Sequence, residues 1–419
     1  MKKTVLKSGL TVLTEKYSQI PSFALSYTVK SGSCNETVSN NGLHHLIEHM
    51  LFKGSSKYSQ RDIADISDRL GGRMNAFTSR EITQYYIKSI DEKFSESFDL
   101  LTDIVFNSNF DKTEFTKEKD VISQEIKEGD DNPDSKAFEL FYRKVFGDSG
   151  VGLPIAGTLE SVSGLKRNFV DKKYRELYIP SNIILSCVGN IDHEEILILA
   201  EEKFADSSPS HLLEIMNTGQ SFNSGVSVHS NKSLKQVYSV IGFNSIPITS
   251  SERYKYMILN DILGAGMSSR LFQKIREEKG LAYTIGSFID SYKKFGVHMI
   301  YAITDPGKTN DYIDAVKEEL KVLKKSGINP EELKKSKDHI KTSIILSLEN
   351  NVSKMRFNVS GDIYFGEQRS LENIIEEINM VKIDDINVIL NDYPDFSEAM
   401  TLFYGDISKK DLPSVNLNK

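Results

Sequence analysis

The sequence predicts an α+β protein of two homologous, α/β-sandwich-like halves that arose by internal duplication. Three observations carry this. Strand-like and helix-like segments alternate along all 419 residues. A stretch near mid-chain, Ala205 to Ser224, carries Ser-Ser-Pro-Ser and Asn-Thr-Gly-Gln-Ser-Phe-Asn-Ser, the chemistry of loops. Tyr178-Ile179-Pro180, an apolar strand and Gly189-Asn190-Ile191-Asp192 are echoed about 215 residues later by Tyr393-Pro394, Ala399 to Tyr404 and Gly405-Asp406-Ile407-Ser408, the mark of a repeat. The expected domains are residues 1–212 and 213–419.

The elements follow in order. Thr4 to Leu6, a turn at Ser8-Gly9 and Leu10 to Leu13 read as a hairpin. Ala24 to Val29 suits a strand, and Asn41 to Phe52 has helical period. Arg61 to Leu70 is a helix ended by Gly71-Gly72, and Thr83 to Ile90 is a strand. Long helices are expected near Glu92 to Asn107 and Thr113 to Glu128. Asp111 and Glu114 resemble a capping box for the second, and Gly129 can end it. Asn182 to Val188 is a buried strand, followed by a helix from His193 to Phe204.

Composition narrows the class. With 39% hydrophobic and 26% charged residues, the chain is neither disordered nor collagen-like. A net charge of −7 gives no bulk field that recruits nucleic acid or anionic lipid. Cys34 and Cys187 form no CxxC pair, so a cysteine zinc knuckle is excluded and two free thiols are expected. The basic start has no apolar core after it, and no window approaches the ~18 apolar residues of a membrane span. The expectation is a cytoplasmic protein with no nucleic-acid or membrane partner.

Of eight histidines, three fall at His44, His45 and His49. Leu43, Leu46, Ile47, Met50 and Leu51 form one apolar helical stripe. His45, Glu48 and His49 share the opposite face, and residues four apart have Cβ atoms about 5–6 Å apart. Two imidazoles so spaced can grip one metal ion, with Glu48 beside it as a base. This is H-x-x-E-H, the reverse of the common H-E-x-x-H zinc motif. Such a site takes a third protein ligand and leaves one position open to water. His44 lies off that face and reads as a core or surface neighbour. The Thr113–Glu128 helix offers Glu118, Glu125 and Glu128 as the third ligand, and spacing alone does not rank them.

The segment Gly42 to Gly54 resembles the zinc signature of the pitrilysin (insulinase) family of metallopeptidases, closest to half-length members related to the mitochondrial processing peptidase. Leu70 to Tyr86, Asp120 to Ile126, Gly152 to Thr158, Tyr178 to Asn182 and Ser269 to Tyr283 resemble further blocks of that family. The resemblance implies two homologous α+β halves, with His45, His49 and Glu125 binding one Zn²⁺ per chain and Glu48 as general base. It implies that Glu118 orients a ligand. It places the strand that pairs with substrate backbone at Asn75 and Ala76. Arg276 and Tyr283 match a pair that holds substrate and stabilises the tetrahedral intermediate. Half-length relatives close a clamshell chamber as dimers, so a homodimer completing its site in trans is expected. The long glycine-rich loop of the mitochondrial partner subunit is replaced here by Leu263 to Ser268, so presequence specificity is not implied. The implied function is a zinc endopeptidase or oligopeptidase acting on short unfolded peptides. The alternative is a catalytically silent or structural subunit of a heteromeric complex. A zinc hydrolase of non-peptide substrates is a third, weaker reading.

Overall fold

The computed structural model describes residues 1–205, 207 and 221–412. The chain divides into two compact units. Unit 1 comprises Met1–Glu128, Asp148–Thr218 and Ser347–Gln368. Unit 2 comprises Gly129–Gly147, Gly219–Leu346 and Arg369–Lys419.

Unit 1 is built on one sheet of β1 (Lys2–Val5), β2 (Thr11–Lys16), β3 (Ser22–Val29), β4 (Arg73–Thr78), β5 (Thr83–Ile90) and β6 (Ile183–Gly189). Its strand order is β1-β2-β6-β3-β5-β4. The expected hairpin is present as the antiparallel pair β1 and β2. The unit's helices include α1 (Leu43–Leu51), α2 (Gln60–Arg69), α3 (Phe94–Phe106) and α4 (Lys112–Asp131). On one sheet face, Phe23, Leu25, Tyr27, Tyr85 and Ile87 form a core with Leu46, Ile47 and Met50 of α1 and Phe98 and Leu101 of α3. On the other, Ala24, Tyr86 and Val188 pack against Met355 of the helix Asn351–Ser360. Covered on both faces, β3 is buried along nearly its whole length, although large apolar Phe23, Leu25, Tyr27 and Val29 alternate with the small Ala24, Ser26 and Thr28.

Unit 2 repeats the design with β7 (Gly225–Ser230), β8 (Val237–Ser245), β9 (Thr284–Ser291), β10 (Gly296–Thr304) and β11 (Met400–Gly405). Its order is β7-β11-β8-β10-β9. The first pair is parallel and the rest antiparallel, as in β2-β6-β3-β5-β4. The duplication legible in the sequence is therefore a repeat of topology. Gly189 and Gly405 end the equivalent strands β6 and β11 at φ of 145° and 153°. A Cβ there would meet Ser22 O at 2.2 Å and Gln236 O at 2.3 Å respectively. Only glycine allows that approach.

The compact units are not the contiguous stretches 1–212 and 213–419. The helix α5 (Pro133–Phe146) belongs to unit 2, where it packs on β8 and β11. The helix Asn351–Ser360 belongs to unit 1, on β3 and β6. Each contiguous half leaves one face of its sheet bare, and a helix of the other half covers it. The expected break at 212/213, like most of Ala205 to Ser224, lies outside the described residues. Gly129 does not end α4, which runs on to Asp131. The stop is Asn132, held out of the helical region by Pro133, and its side chain caps α5 at Ser135 N, 3.0 Å away.

Gly242 of β8 is the seat for α5, since a Cβ there would meet Phe141 Cζ at 2.1 Å. Gly242→Ala is expected to destabilise the protein by about 1–3 kcal/mol through overpacking. Phe141→Leu in the same chain should recover part of that loss in chemical denaturation. A second prediction concerns His298, buried on β10 between Asn260 Oδ1 (3.1 Å) and the Tyr393 hydroxyl (2.8 Å). Burial pushes its pKa down to about 3, whereas an unfolded imidazole titrates near 6.5. Between those values the unfolded chain binds the extra proton, so this group's stabilisation is complete above about pH 6.5 and is lost as pH falls toward 3. Lowering pH from 7 to 5 should cost about 2 kcal/mol from this residue, and His298→Gln should flatten that slope.

Candidate metal centre

The centre is built on α1 and α4, with β4 beneath it. Leu43, Leu46, Ile47, Met50 and Leu51 are buried, so the opposite face of α1 carries His45, Glu48 and His49 outward, as the periodicity predicts. The imidazoles of His45 and His49 stand with ring centroids 4.6 Å apart. Phe115, Glu118 and Ile122 form the buried stripe of α4, which turns Glu125 toward α1. Glu125 Oε2 lies 3.8 Å from His45 Nε2 and 3.5 Å from His49 Nε2. Ligand atoms of His45, His49 and Glu125 all fall within 4.8 Å of one another. Among the described residues this is the only such trio. Glu128 is exposed and outside it.

The two histidines stand in different settings. Glu118 Oε2 accepts from His49 Nδ1 at 3.0 Å, which leaves the Nε2 lone pair facing Glu125. The other Glu118 oxygen holds Lys53 Nζ at 2.8 Å. Although burial opposes ionisation of Glu118, its bonds to His49 and Lys53 hold its carboxyl below the usual range. Burial, with His49 nearby, pushes the His45 pKa down to about 4, so its imidazole is neutral at physiological pH. Among the described residues, His45 Nδ1 is buried without a hydrogen-bond partner. Burial opposes protonation of His49 as well, but the Glu118 bond and the Glu125 charge outweigh it and raise its pKa. Two imidazole nitrogens and one carboxylate converging on one point suit a borderline-soft divalent ion such as zinc.

Glu48 is half-buried beside this trio and accepts from the Thr78 hydroxyl of β4 at 2.5 Å. Burial raises its pKa, against the opposing pull of Thr78 and His49. A carboxylate so placed can take up and return a proton. Among the described residues the edge strand β4 pairs only with β5. Asn75 is exposed on it, and its Oδ1 accepts the Ala76 amide at 2.8 Å.

The entry of α1 depends on residues the sequence does not single out. The buried Glu36 carboxylate accepts from Asn41 Nδ2, Gly42 N, His44 N and His44 Nδ1 at 2.7–2.9 Å. His44 Nε2 reaches Ser31 Oγ at 2.8 Å, so His44 is a core histidine that fixes the helix. Gly42 has φ of 87° and lies against Gly157, where a Cβ would meet Ala156 O at 2.7 Å. Lys53 was findable, being one turn beyond His49. Glu36 and Thr78 carried no local signal.

Arg276 and Tyr283 both belong to unit 2. The Arg276 guanidinium lies 4.7 Å over the Phe272 ring and 3.7 Å from Glu277. Tyr283 is 74% exposed, just before β9.

A mixed α and β fold carrying an inverted H-x-x-E-H pair and a distal glutamate defines a metallopeptidase-like class. Residues 11–159 match the family described as insulinase (peptidase family M16), and residues 165–340 match the peptidase M16 inactive domain. The uncharacterized zinc protease YmxG of Bacillus subtilis is 35% identical over 387 residues, covering 92% of this chain and 94% of that protein. An uncharacterized zinc protease of Rickettsia felis is 36% identical over 389 residues, covering 91% and 92%. A protease from Helicobacter pylori has the same fold, with a TM-score of 0.89 at 21% identity over 96% of this chain and 99% of that one. The chain belongs to peptidase family M16. No helix among the described residues is long and apolar enough to cross a membrane.

Two substitutions test this geometry. Glu118→Gln should weaken metal binding about 10–100-fold, the usual cost of losing a carboxylate that orients a ligating histidine, as read by competition with a chromogenic chelator. Glu36→Ala strands several buried donors at once and should cost about 3 kcal/mol or more in denaturation.

Proposed function

We propose that this chain is a zinc-dependent peptidase that hydrolyses peptide bonds of short unfolded peptides. The observation that carries the reading is the convergence of His45 Nε2, His49 Nε2 and Glu125 on one point, with the half-buried Glu48 carboxylate beside it. The relatives' designation as zinc proteases supports the choice of metal. His45, His49 and Glu125 would hold the ion. When bound, it supplies a Lewis acid that polarises the scissile carbonyl and acidifies water.

The chain's residues do the rest. Glu48 takes a proton from the attacking water and returns it to the leaving amine. Thr78 holds that carboxylate in place through its hydroxyl. Glu118 fixes the His49 ring so that Nε2, not Nδ1, faces the ion. The free edge of β4 at Asn75 and Ala76 offers main-chain groups to an extended peptide, which gives affinity with little sequence demand. Arg276 and Tyr283 hold the substrate and donate to the developing oxyanion. They act in trans across a homodimer.

A second reading, a catalytically silent subunit, draws on the inactive-domain description of the model matched by residues 165–340. The complete donor set in unit 1 speaks for activity. Glu48→Gln should retain stoichiometric zinc and lose about 10²–10⁴-fold in kcat/KM on a quenched peptide library. Chelation should abolish cleavage and added zinc restore it. Absence of zinc from the purified protein would favour the silent subunit, and cleavage surviving both treatments would overturn the peptidase reading. Mixing Glu48→Gln chains with Tyr283→Phe chains should restore part of the activity through mixed dimers. No recovery despite proven subunit exchange would place the pair in cis.

A further inference from the structure

The edge strand β4 has two faces, and only one belongs to the metal centre. Met74, Ala76 and Thr78 pair with Ile87, Tyr85 and Thr83, on the side of the core shared with α1. Asn75 and Phe77 pair with Tyr86 and Gln84, on the opposite side, where the helix Asn351–Ser360 lies. From that helix Arg356 projects onto the strand. Its guanidinium lies 4.8 Å over the Phe77 ring and 5.2 Å from the Tyr86 ring. Its Nε donates to Gln84 Oε1 at 3.2 Å, and Gln84 is itself fixed by donating to Thr28 Oγ1 at 2.8 Å. The residue is exposed, and among the described residues no carboxylate pairs with it.

Two aromatic rings and one amide hold the group still, yet among the described residues its charge has no carboxylate partner and its Nη atoms make no hydrogen bond. Stacking on a ring occupies the face of a guanidinium and leaves its edge free for a bidentate partner. A peptide strand added to β4 continues both faces of the sheet, so its side chains alternate between the α1 side and the Arg356 side. We propose that Arg356 is a specificity residue that selects an acidic side chain at one position of the bound peptide, on the face turned away from α1.

The proposal rests on the peptidase reading and on peptide addition to β4, and its test separates the two. Matched quenched peptides carrying Glu, Gln or Lys at each position in turn are assayed with wild type, Arg356→Gln, Arg356→Lys and Arg356→Glu. Binding of the same peptides, dye-labelled, is measured by anisotropy on Glu48→Gln and Glu48→Gln/Arg356→Gln. At one position the Glu-to-Gln ratio of kcat/KM in wild type should be about ten, the scale of one charge-assisted bond. It should fall to near one in Arg356→Gln, be partly kept in Arg356→Lys, and turn toward Lys in Arg356→Glu. The ratio should also shrink as salt is raised. Cleavage and binding with a ratio that Arg356→Gln leaves unchanged at every position would overturn the proposal and leave the peptidase reading standing. Loss of both cleavage and binding in wild type would overturn both. A melting curve for each variant separates loss of the helix seat from loss of recognition, because Arg356→Lys keeps the charge while giving up the stack.

Discussion

Glu36 gathers four donors at the start of α1, and the direction of the metal-facing side chains of α1 follows from that grip. A carboxylate at a helix N-terminus meets unpaired amides and the positive end of the helix dipole. Gly42 admits the turn, and Gly157 lets the backbone of another segment lie against it. With its first turn fixed, α1 has no freedom to roll. Its apolar stripe then sets the rotation, and His45, Glu48 and His49 emerge together on the open side.

The same logic extends outward in layers. Glu118 is fixed by Lys53 and in turn fixes His49. Thr78 is fixed by the β4–β5 ladder and in turn fixes Glu48. β4 is therefore both a support for the base and a free edge beside it. Its opposite face is covered by a helix from the far end of the chain, which is why a residue as late as Arg356 reaches the neighbourhood of residues 75–77. The exchange of α5 and Asn351–Ser360 is thus more than a packing detail, since it brings late sequence to a strand placed beside the metal centre.

How much of this was legible follows from where the residues sit. His45, Glu48 and His49 lie within one helical turn of each other, so periodicity alone placed them on one face. Glu118 and Glu125 share a helix face, and spacing could not say which of them, or Glu128, meets the histidines. Family resemblance chose Glu125, and the crossing of α1 and α4 puts its carboxylate 3.5 Å from His49 Nε2. Thr78 and Arg356 were silent because each acts on residues 30 or more positions away, and Glu36 because it lies before α1, outside the helical period. The Gly129 stop failed for a local reason: glycine permits a helix end without enforcing one, whereas the following proline enforces it.

The sequence by itself determined β1 to β3, β5, β6 and α1 to α4, the repeat and the inverted histidine pair, because each is written in local period, turn residues or a recurring string. It also identified the glycines where the backbone must turn at α2 and at the close of the hairpin. Only the tertiary structure decided which helix covers which sheet face and which side chain holds the base. Those choices depend on contacts between residues tens to hundreds of positions apart, set by burial of faces that no local window contains.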